Sequence, residues 1–183
     1  MIRAALVLMV LSGPVMAWTE GLLPDGYPPV MGDLSATLDG RRMAWQTYDF
    51  SVGAFDASAW VGDDDDNVTL RIMAFAPGKP DQNADRLRIV VEFGLFPTPD
   101  DTPRPALIEV LAEDDIDGRK LTSGKTPGVV ILDTFSRDGY AYGRTSGSFE
   151  ALICFKRGPK SKVTSQCKPI KARFDTAIQF DNM

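Results

Sequence analysis

The sequence contains no histidine, and this absence excludes more chemistry than any other feature of its composition. Without histidine the chain cannot form a Ser-His-Asp or Cys-His catalytic centre, and it lacks the usual general base near neutral pH. Zinc, copper and haem sites that use histidine are excluded for the same reason. Only two cysteines are present, too few for a four-thiolate metal site. Any catalysis would therefore rest on carboxylates, Lys, Tyr or Ser.

Helical periodicity and long apolar runs are also missing. No window keeps apolar residues at helical spacing for three turns, and residues 54–60 are predicted to form one short helix at most. Glycine- and proline-rich segments interrupt the chain throughout, which is typical of short strands joined by turns. The sequence therefore predicts a fold without a helical core.

The first 17 residues have the layout of a secretory signal peptide. Arg3 supplies a positive charge, residues 4–12 form a short apolar stretch, and Val15 and Ala17 are small residues at the expected cleavage site. The apolar stretch is far below the roughly 20 residues that span a bilayer, so no transmembrane segment is expected after cleavage. A retained membrane anchor is the alternative. The sequence predicts a mature protein that is periplasmic or secreted and begins at Trp18.

Strand-length segments with alternating apolar residues follow one another along the mature chain, as at residues 87–96. Asp39-Gly40, between two such segments, is the strongest hairpin signal. The pattern predicts one all-β domain over residues 33–183, an antiparallel β-sandwich of about eight or nine short strands. A closed β-barrel is the alternative. Residues 18–32, which are rich in glycine and proline, are predicted to form an extended N-terminal lead-in.

Cys154 and Cys167 are predicted to form a disulfide, because exported chains fold in an oxidising compartment. The alternation of side chains also indicates how their segments would pair. If Cys154 lies opposite Cys167, then Phe149 meets Ala172 and the apolar faces of the two segments coincide. A shift of one residue would place aromatic residues against cations. The two segments are therefore expected to form a hairpin whose base the disulfide closes.

The strongest local charge lies near the C-terminus. Residues 156–173 contain seven cations and no acid, whereas the whole chain has 20 Lys and Arg against 25 Asp and Glu. This imbalance predicts an anion-binding hairpin formed by Lys156, Arg157, Lys160, Lys162, Lys168, Lys171 and Arg173. The partner would be an anionic envelope component or an acidic protein; nucleic acid is not expected, since few aromatic residues lie among the cations. A solvated hairpin whose lysines discourage edge-to-edge pairing is the alternative.

An acidic cluster near the middle of the chain is a candidate metal site. Its residues are Asp63, Asp64, Asp65 and Asp66. Carboxylate oxygens are ligands that calcium prefers, so bound calcium is the alternative to four solvated turn residues. No other cofactor is expected.

Candidate catalytic carboxylates lie within or beside predicted strands, at Glu92, Glu109, Glu113 and Asp133. Two of them about 5–10 Å apart would permit acid/base hydrolysis of a glycosidic bond. Arginines on neighbouring strands are equally placed to neutralise them. The function expected is therefore an exported, non-catalytic binding or structural module that contacts an anionic ligand through its basic hairpin. The alternative is a carboxylate-based carbohydrate-active protein, stabilised by calcium, with Trp45 or Trp60 in its pocket.

Overall fold

The computed structural model describes residues 28–50, 57–64, 67–80, 85–93, 99, 102–111, 120–124, 126–156 and 167–181. The predicted signal peptide (1–17) and most of the predicted lead-in lie outside these residues. Arg157, Lys160 and Lys162 of the basic hairpin lie outside them too, as do Asp65 and Asp66 of the acidic cluster.

The described residues form ten β-strands and no helix, which confirms the all-β prediction and exceeds the eight or nine strands expected. The strands are β1 (Val30–Leu38), β2 (Arg41–Tyr48), β3 (Ala59–Asp64), β4 (Asn67–Ala74), β5 (Arg86–Phe93), β6 (Arg104–Leu111), β7 (Lys120–Thr122), β8 (Gly128–Asp138), β9 (Tyr142–Lys156) and β10 (Cys167–Phe180). The part of the chain that the structure describes contains no helix with the length and apolar character needed to cross a bilayer.

The strands belong to one mostly antiparallel sheet whose pairings form a closed circuit. β3, β4, β5 and β6 are consecutive antiparallel neighbours. β6 pairs with both β7 and β8, and each of these pairs with β9. β9 pairs with β10, which returns to β3 through a short parallel pairing. The two-layer sandwich stays a prediction, since all ten described strands share a single sheet.

β1 and β2 form the predicted hairpin, which extends the sheet from β10. Asp39 and Gly40 have φ values of 51° and 78°, the left-handed conformation that a two-residue hairpin turn requires. β1 begins at Val30, so this strand includes the end of the predicted lead-in. Position 32 of β1 requires a glycine because β10 passes close to it: a Cβ at this position would lie 2.6 Å from Cβ of Thr176.

β9 and β10 form the longest pairing of the sheet, and its register confirms the prediction. Cys154 lies opposite Cys167, and Phe149 lies opposite Ala172. The two cysteines form a disulfide, and their Cα atoms are 3.9 Å apart. β9 is one continuous strand, and Gly147 leaves room beside it for the ring of Phe174. A disulfide indicates an oxidising compartment.

β3 overlaps two segments for which the sequence predicted other structures. Ala59 and Trp60, which end the predicted short helix, are paired strand residues. Asp64, which the sequence placed in a turn, is a strand residue as well, because it pairs directly with Asn67 of β4. The segment favours a strand because Ala59 and Val61 are both fully buried against the core.

The core lies on the inner face of the sheet, where alternate residues of nearly every strand meet. Its largest fully buried side chains are Trp45, Phe149, Leu34, Leu70, Ile72, Leu87, Ile89, Ile108, Ile153, Ile170, Ile178 and Val61. Polar atoms in this region are satisfied: Nε1 of Trp45 donates a hydrogen bond to the carbonyl of Asp85 (2.8 Å). The outward-facing residues are therefore the ones available for binding.

Candidate functional site

The outward faces of β2, β1, β10 and β9 enclose a shallow depression, here called the outer groove. Its main part has a volume of about 720 Å³, and a second part of about 440 Å³ continues along the same strands. Ser35, Ala44 and Ser148 line it with short side chains, while longer charged side chains stand beside them. The groove therefore arises from the contrast between small and long residues on one sheet face.

The strand registers align the outward residues of the groove into three rows. The first row is Arg42, Thr37, Lys171 and Glu150; the second is Ala44, Ser35, Arg173 and Ser148; the third is Gln46, Asp33, Asp175 and Ser146. Neighbouring strands lie about 4.8 Å apart, and successive rows about 7 Å apart along the strands. The first row carries two cations and one acid, whereas the third carries two acids. The groove is therefore electrostatically polarised along its strands.

Lys171 and Arg173 each hold an ion pair at the surface of the groove. Nζ of Lys171 lies 2.7 Å from Oε1 of Glu150, and Nη2 of Arg173 lies 2.8 Å from Oδ2 of Asp133. The Lys171 and Glu150 side chains are 68% and 64% exposed, and the second pair is similarly open. Exposed pairs of this kind contribute less than about 1 kcal/mol. A ligand anion can therefore compete for either cation at low cost.

Asp133 reaches Arg173 because β8 has an irregularity at this point. The register between β8 and β9 shifts between Leu132 and Thr134, so Asp133 has no direct partner on β9. Arg173 lies opposite Ser148, whose short side chain leaves the path across β9 open. The ion pair thus spans β9 and connects β8 to the groove.

Arg42 differs from the other two cations of the groove. It is exposed, and no carboxylate of the described residues lies within ion-pair distance of it. The hydroxyl groups of Thr37 and Ser35 beside it are likewise not engaged by other described residues. Guanidinium and hydroxyl donors bind carboxylate and phosphate oxygens through charge-assisted hydrogen bonds. The first row can therefore accept an anion without first breaking an ion pair at Arg42.

The third row places two carboxylates side by side, and both have partners. Asp33 lies opposite Asp175 and accepts a hydrogen bond from Nε2 of Gln46 (3.1 Å). Nε of Arg144 lies 2.8 Å from Oδ1 of Asp175. The hydrogen bond from this arginine and the charge of Asp175 raise the pKa of the Arg144 guanidinium above its ordinary value. This end of the groove is therefore negative but partly compensated.

The predicted anion-binding residues are only partly brought together. Lys171 and Arg173 lie in the groove, whereas Lys168 pairs with Asp39 of the β1–β2 turn (3.0 Å). Lys156 is the last residue of β9. Arg157, Lys160 and Lys162 lie outside the residues that the structure describes. The structure adds Arg42, which the sequence analysis missed because nothing in the sequence showed that β1 pairs with β10.

The predicted calcium-binding and catalytic residues are only partly described by the structure. Asp63 and Asp64 are the last two residues of β3. No group of three or more metal-binding acids or cysteines occurs among the described residues. Glu109 is buried and accepts a hydrogen bond from Nη1 of Arg88 (3.2 Å). This contact agrees with the alternative given above, in which an arginine on a neighbouring strand neutralises the carboxylate. Trp45 is 1% exposed and belongs to the core. The calcium site stays a prediction.

Glu92 and Glu109, two of the candidate carboxylates that the structure describes, are too far apart to act as a pair. Glu92 is exposed on β5 opposite Thr69, Asp133 pairs with Arg173, and Glu113 lies outside the described residues. Glu92 and Glu109 are on neighbouring strands but at different levels, because Glu109 lies opposite Arg88. Four residues along a strand correspond to about 13 Å, beyond the separation that paired glycosidase carboxylates need.

Comparisons with models of protein families, with curated proteins and with solved structures give no match to this chain. The fold and the groove therefore carry the functional argument. Together they define an all-β, disulfide-bonded chain with a polarised groove on one outer face of its sheet.

Proposed function

We propose that this protein is an exported, non-catalytic binding module that holds an anionic envelope component or an acidic protein in the first row of the outer groove. The observation that carries the proposal is Arg42, which is exposed and lacks a carboxylate partner among the described residues. It lies two strands from Lys171, so that the two cations are about 10 Å apart at the backbone. Export is supported by the signal-peptide pattern of residues 1–17 and by the disulfide.

The basic hairpin would extend this surface. The first row is the end of the groove nearer the Cys154–Cys167 disulfide, which closes the base of the hairpin. The hairpin segment beyond the disulfide contributes Arg157, Lys160 and Lys162. We expect a polyanion longer than the groove to contact these cations as well. The acidic third row would orient such a ligand, because it repels the same charge that the first row attracts.

Reversing the charge of Arg42 tests the proposal. The probes are inorganic polyphosphate and poly-glutamate immobilised on a column, and the measurement is the salt concentration that elutes the mature protein. We expect Arg42→Glu to elute at markedly lower salt than the wild type, because electrostatic retention weakens with screening. Lys79→Glu makes the same change in net charge at an exposed turn beyond the third row, and is expected to elute like the wild type.

Three results would count against the proposal. Equal loss of retention in both variants would show that net charge alone is measured. A wild type that is not retained at low salt would remove the binding function itself. An intact mass that still includes residues 1–17 in the exported protein would contradict cleavage of the signal peptide.

The alternative, a carboxylate-based carbohydrate-active protein, has weaker support. Glu109, Asp133 and Asp175 each already accept a hydrogen bond or ion pair from an arginine. Using one of these carboxylates in catalysis would first require its contact with the arginine to break. Release of reducing sugar from an acidic polysaccharide, lost in Glu92→Gln, would favour this alternative.

A further inference from the structure

β2 has a partly open edge beside the first two rows of the groove. One side of β2 pairs with β1. On the other side, Gln46 exchanges two backbone hydrogen bonds with Phe75, each 2.8 Å long. Alternate residues of an antiparallel strand direct their backbone groups to the same side. The N–H and C=O groups of Arg42 and Ala44 therefore point away from β1, as those of Gln46 do.

Within the described part of the chain, these backbone groups are free to pair with a new strand. No backbone hydrogen bond joins Arg42 or Ala44 to a described residue on that side. Arg42 and Ala44 are both exposed. An open strand edge is a template on which an extended chain can add as a further strand. The Phe75 bridge limits the open part to residues 41–44.

The charges at this edge indicate which chain would add. Arg41 and Arg42 are exposed, and neither has a carboxylate partner in the described ranges. Cations on an edge strand normally prevent pairing, but they would favour a strand that brings carboxylates. A second copy of this chain, paired through its own β2, would bring two further arginines to the same short edge. Charge complementarity therefore favours an acidic segment over self-pairing.

We propose that the open edge of β2 accepts an extended acidic segment of a partner protein as an additional strand. The proposal deepens the function proposed above and rests on it, since the same Arg42 serves both. Arg42 and Ala44 together can exchange up to four backbone hydrogen bonds with the added strand. Acidic residues at alternate positions of that strand lie on the outer face, beside Arg42 and the first row.

Amide hydrogen exchange of the full-length mature protein tests the strand itself. The probe is a synthetic peptide of alternating Glu and Val, and the control is a peptide of alternating Lys and Val. We expect the Glu peptide to slow exchange at the amides of Arg42 and Ala44 at least fivefold, roughly the effect of one net hydrogen bond. A Glu–Val peptide with N-methyl groups at every residue should give no protection, because the methyl groups remove its donors and keep its carbonyl groups from approaching the amides of Arg42 and Ala44.

Two substitutions at Ala44 separate strand addition from simple attraction of charge. Ala44→Pro removes an outward N–H group that no described residue uses, and Ala44→Val keeps it. We expect the proline variant to bind the Glu peptide about fivefold more weakly than the valine variant. Retention of the two variants on polyphosphate should be equal to each other, since both keep the cations and both enlarge the same side chain of the groove.

The outcomes are distinguishable. Strand addition would be overturned if both variants bound the Glu peptide equally, or if the wild type bound the N-methylated peptide as well as the unmodified one. Either result would leave anion binding standing. The N-methylated peptide decides the question even where the proline variant fails to fold. If the wild type bound neither the Glu peptide nor polyphosphate, the proposed function would be ruled out as well. A dimer in sedimentation, abolished by Ala44→Pro, would assign the edge to a second copy.

Discussion

Removing the disulfide should lower the free energy of unfolding by about 3 kcal/mol. Cys154 and Cys167 are 13 residues apart in sequence, and closing a loop of that size in the unfolded chain costs about 3 kcal/mol at 25 °C. The native register should survive, because the apolar faces of β9 and β10 match independently of the sulfur atoms. Replacing both cysteines by alanine is therefore expected to act mainly on the unfolded state.

Urea unfolding of the mature protein measures this loss, with tryptophan fluorescence, to which the buried Trp45 contributes, as the signal. With a slope of about 2 kcal/mol/M, the midpoint should fall by about 1.5 M. The wild type in the presence of a reductant is the matched control and should unfold at the same midpoint as the double variant. A fall of less than about 0.5 M at unchanged slope would refute the loop-closure reasoning.

Three further predictions concern the free energy of unfolding, measured in the same urea assay. Arg88→Met should lower it by about 2 kcal/mol, because the buried carboxylate of Glu109 loses its guanidinium donor. Gly147→Ala should lower it by about 1–3 kcal/mol, because the new methyl group would clash with the backbone oxygen of Ile131 and lie 2.8 Å from the ring of Phe174. In a double-mutant cycle, Lys171 and Glu150 should couple by less than about 1 kcal/mol, since both are exposed.

Matched controls are available for the first two changes. Arg42→Met removes an exposed arginine without a described carboxylate partner and should change stability by less than about 0.5 kcal/mol. Gly62→Ala places a methyl group 3.4 Å from the nearest atom, the carboxylate of Asp181, and should be tolerated. If each control were as destabilising as its test variant, the contacts named here would not be the cause.

The local features of the fold could be predicted from sequence because they depend on short-range signals. Asp39-Gly40 specifies its turn through backbone conformation alone. The pairing of β9 with β10 followed from matching two apolar faces around the cysteines. The same register places Lys171 opposite Glu150, so this ion pair was available from the sequence once the disulfide was assumed.

The remaining features depend on which distant strands become neighbours. Arg42 joins the cations of β10 only because β1 lies between β2 and β10, and no local pattern encodes that order. β3 was missed because Gly62 and the acidic residues after it have the composition of a loop. Its pairing with β10 involves only Trp60 and Val61, too few residues to leave a pattern in the sequence.

The position of β10 has a consequence for the order of folding. This strand is the last of the ten to be synthesised, yet β1, the first, pairs with it, as do β3 and β9. These contacts join the two ends of the described chain, and such high contact order slows folding because long loops must close before any contact forms. Until β10 docks, β1 and β9 present unpaired edges to other chains. Protection of these edges during folding is therefore a requirement that the topology itself imposes.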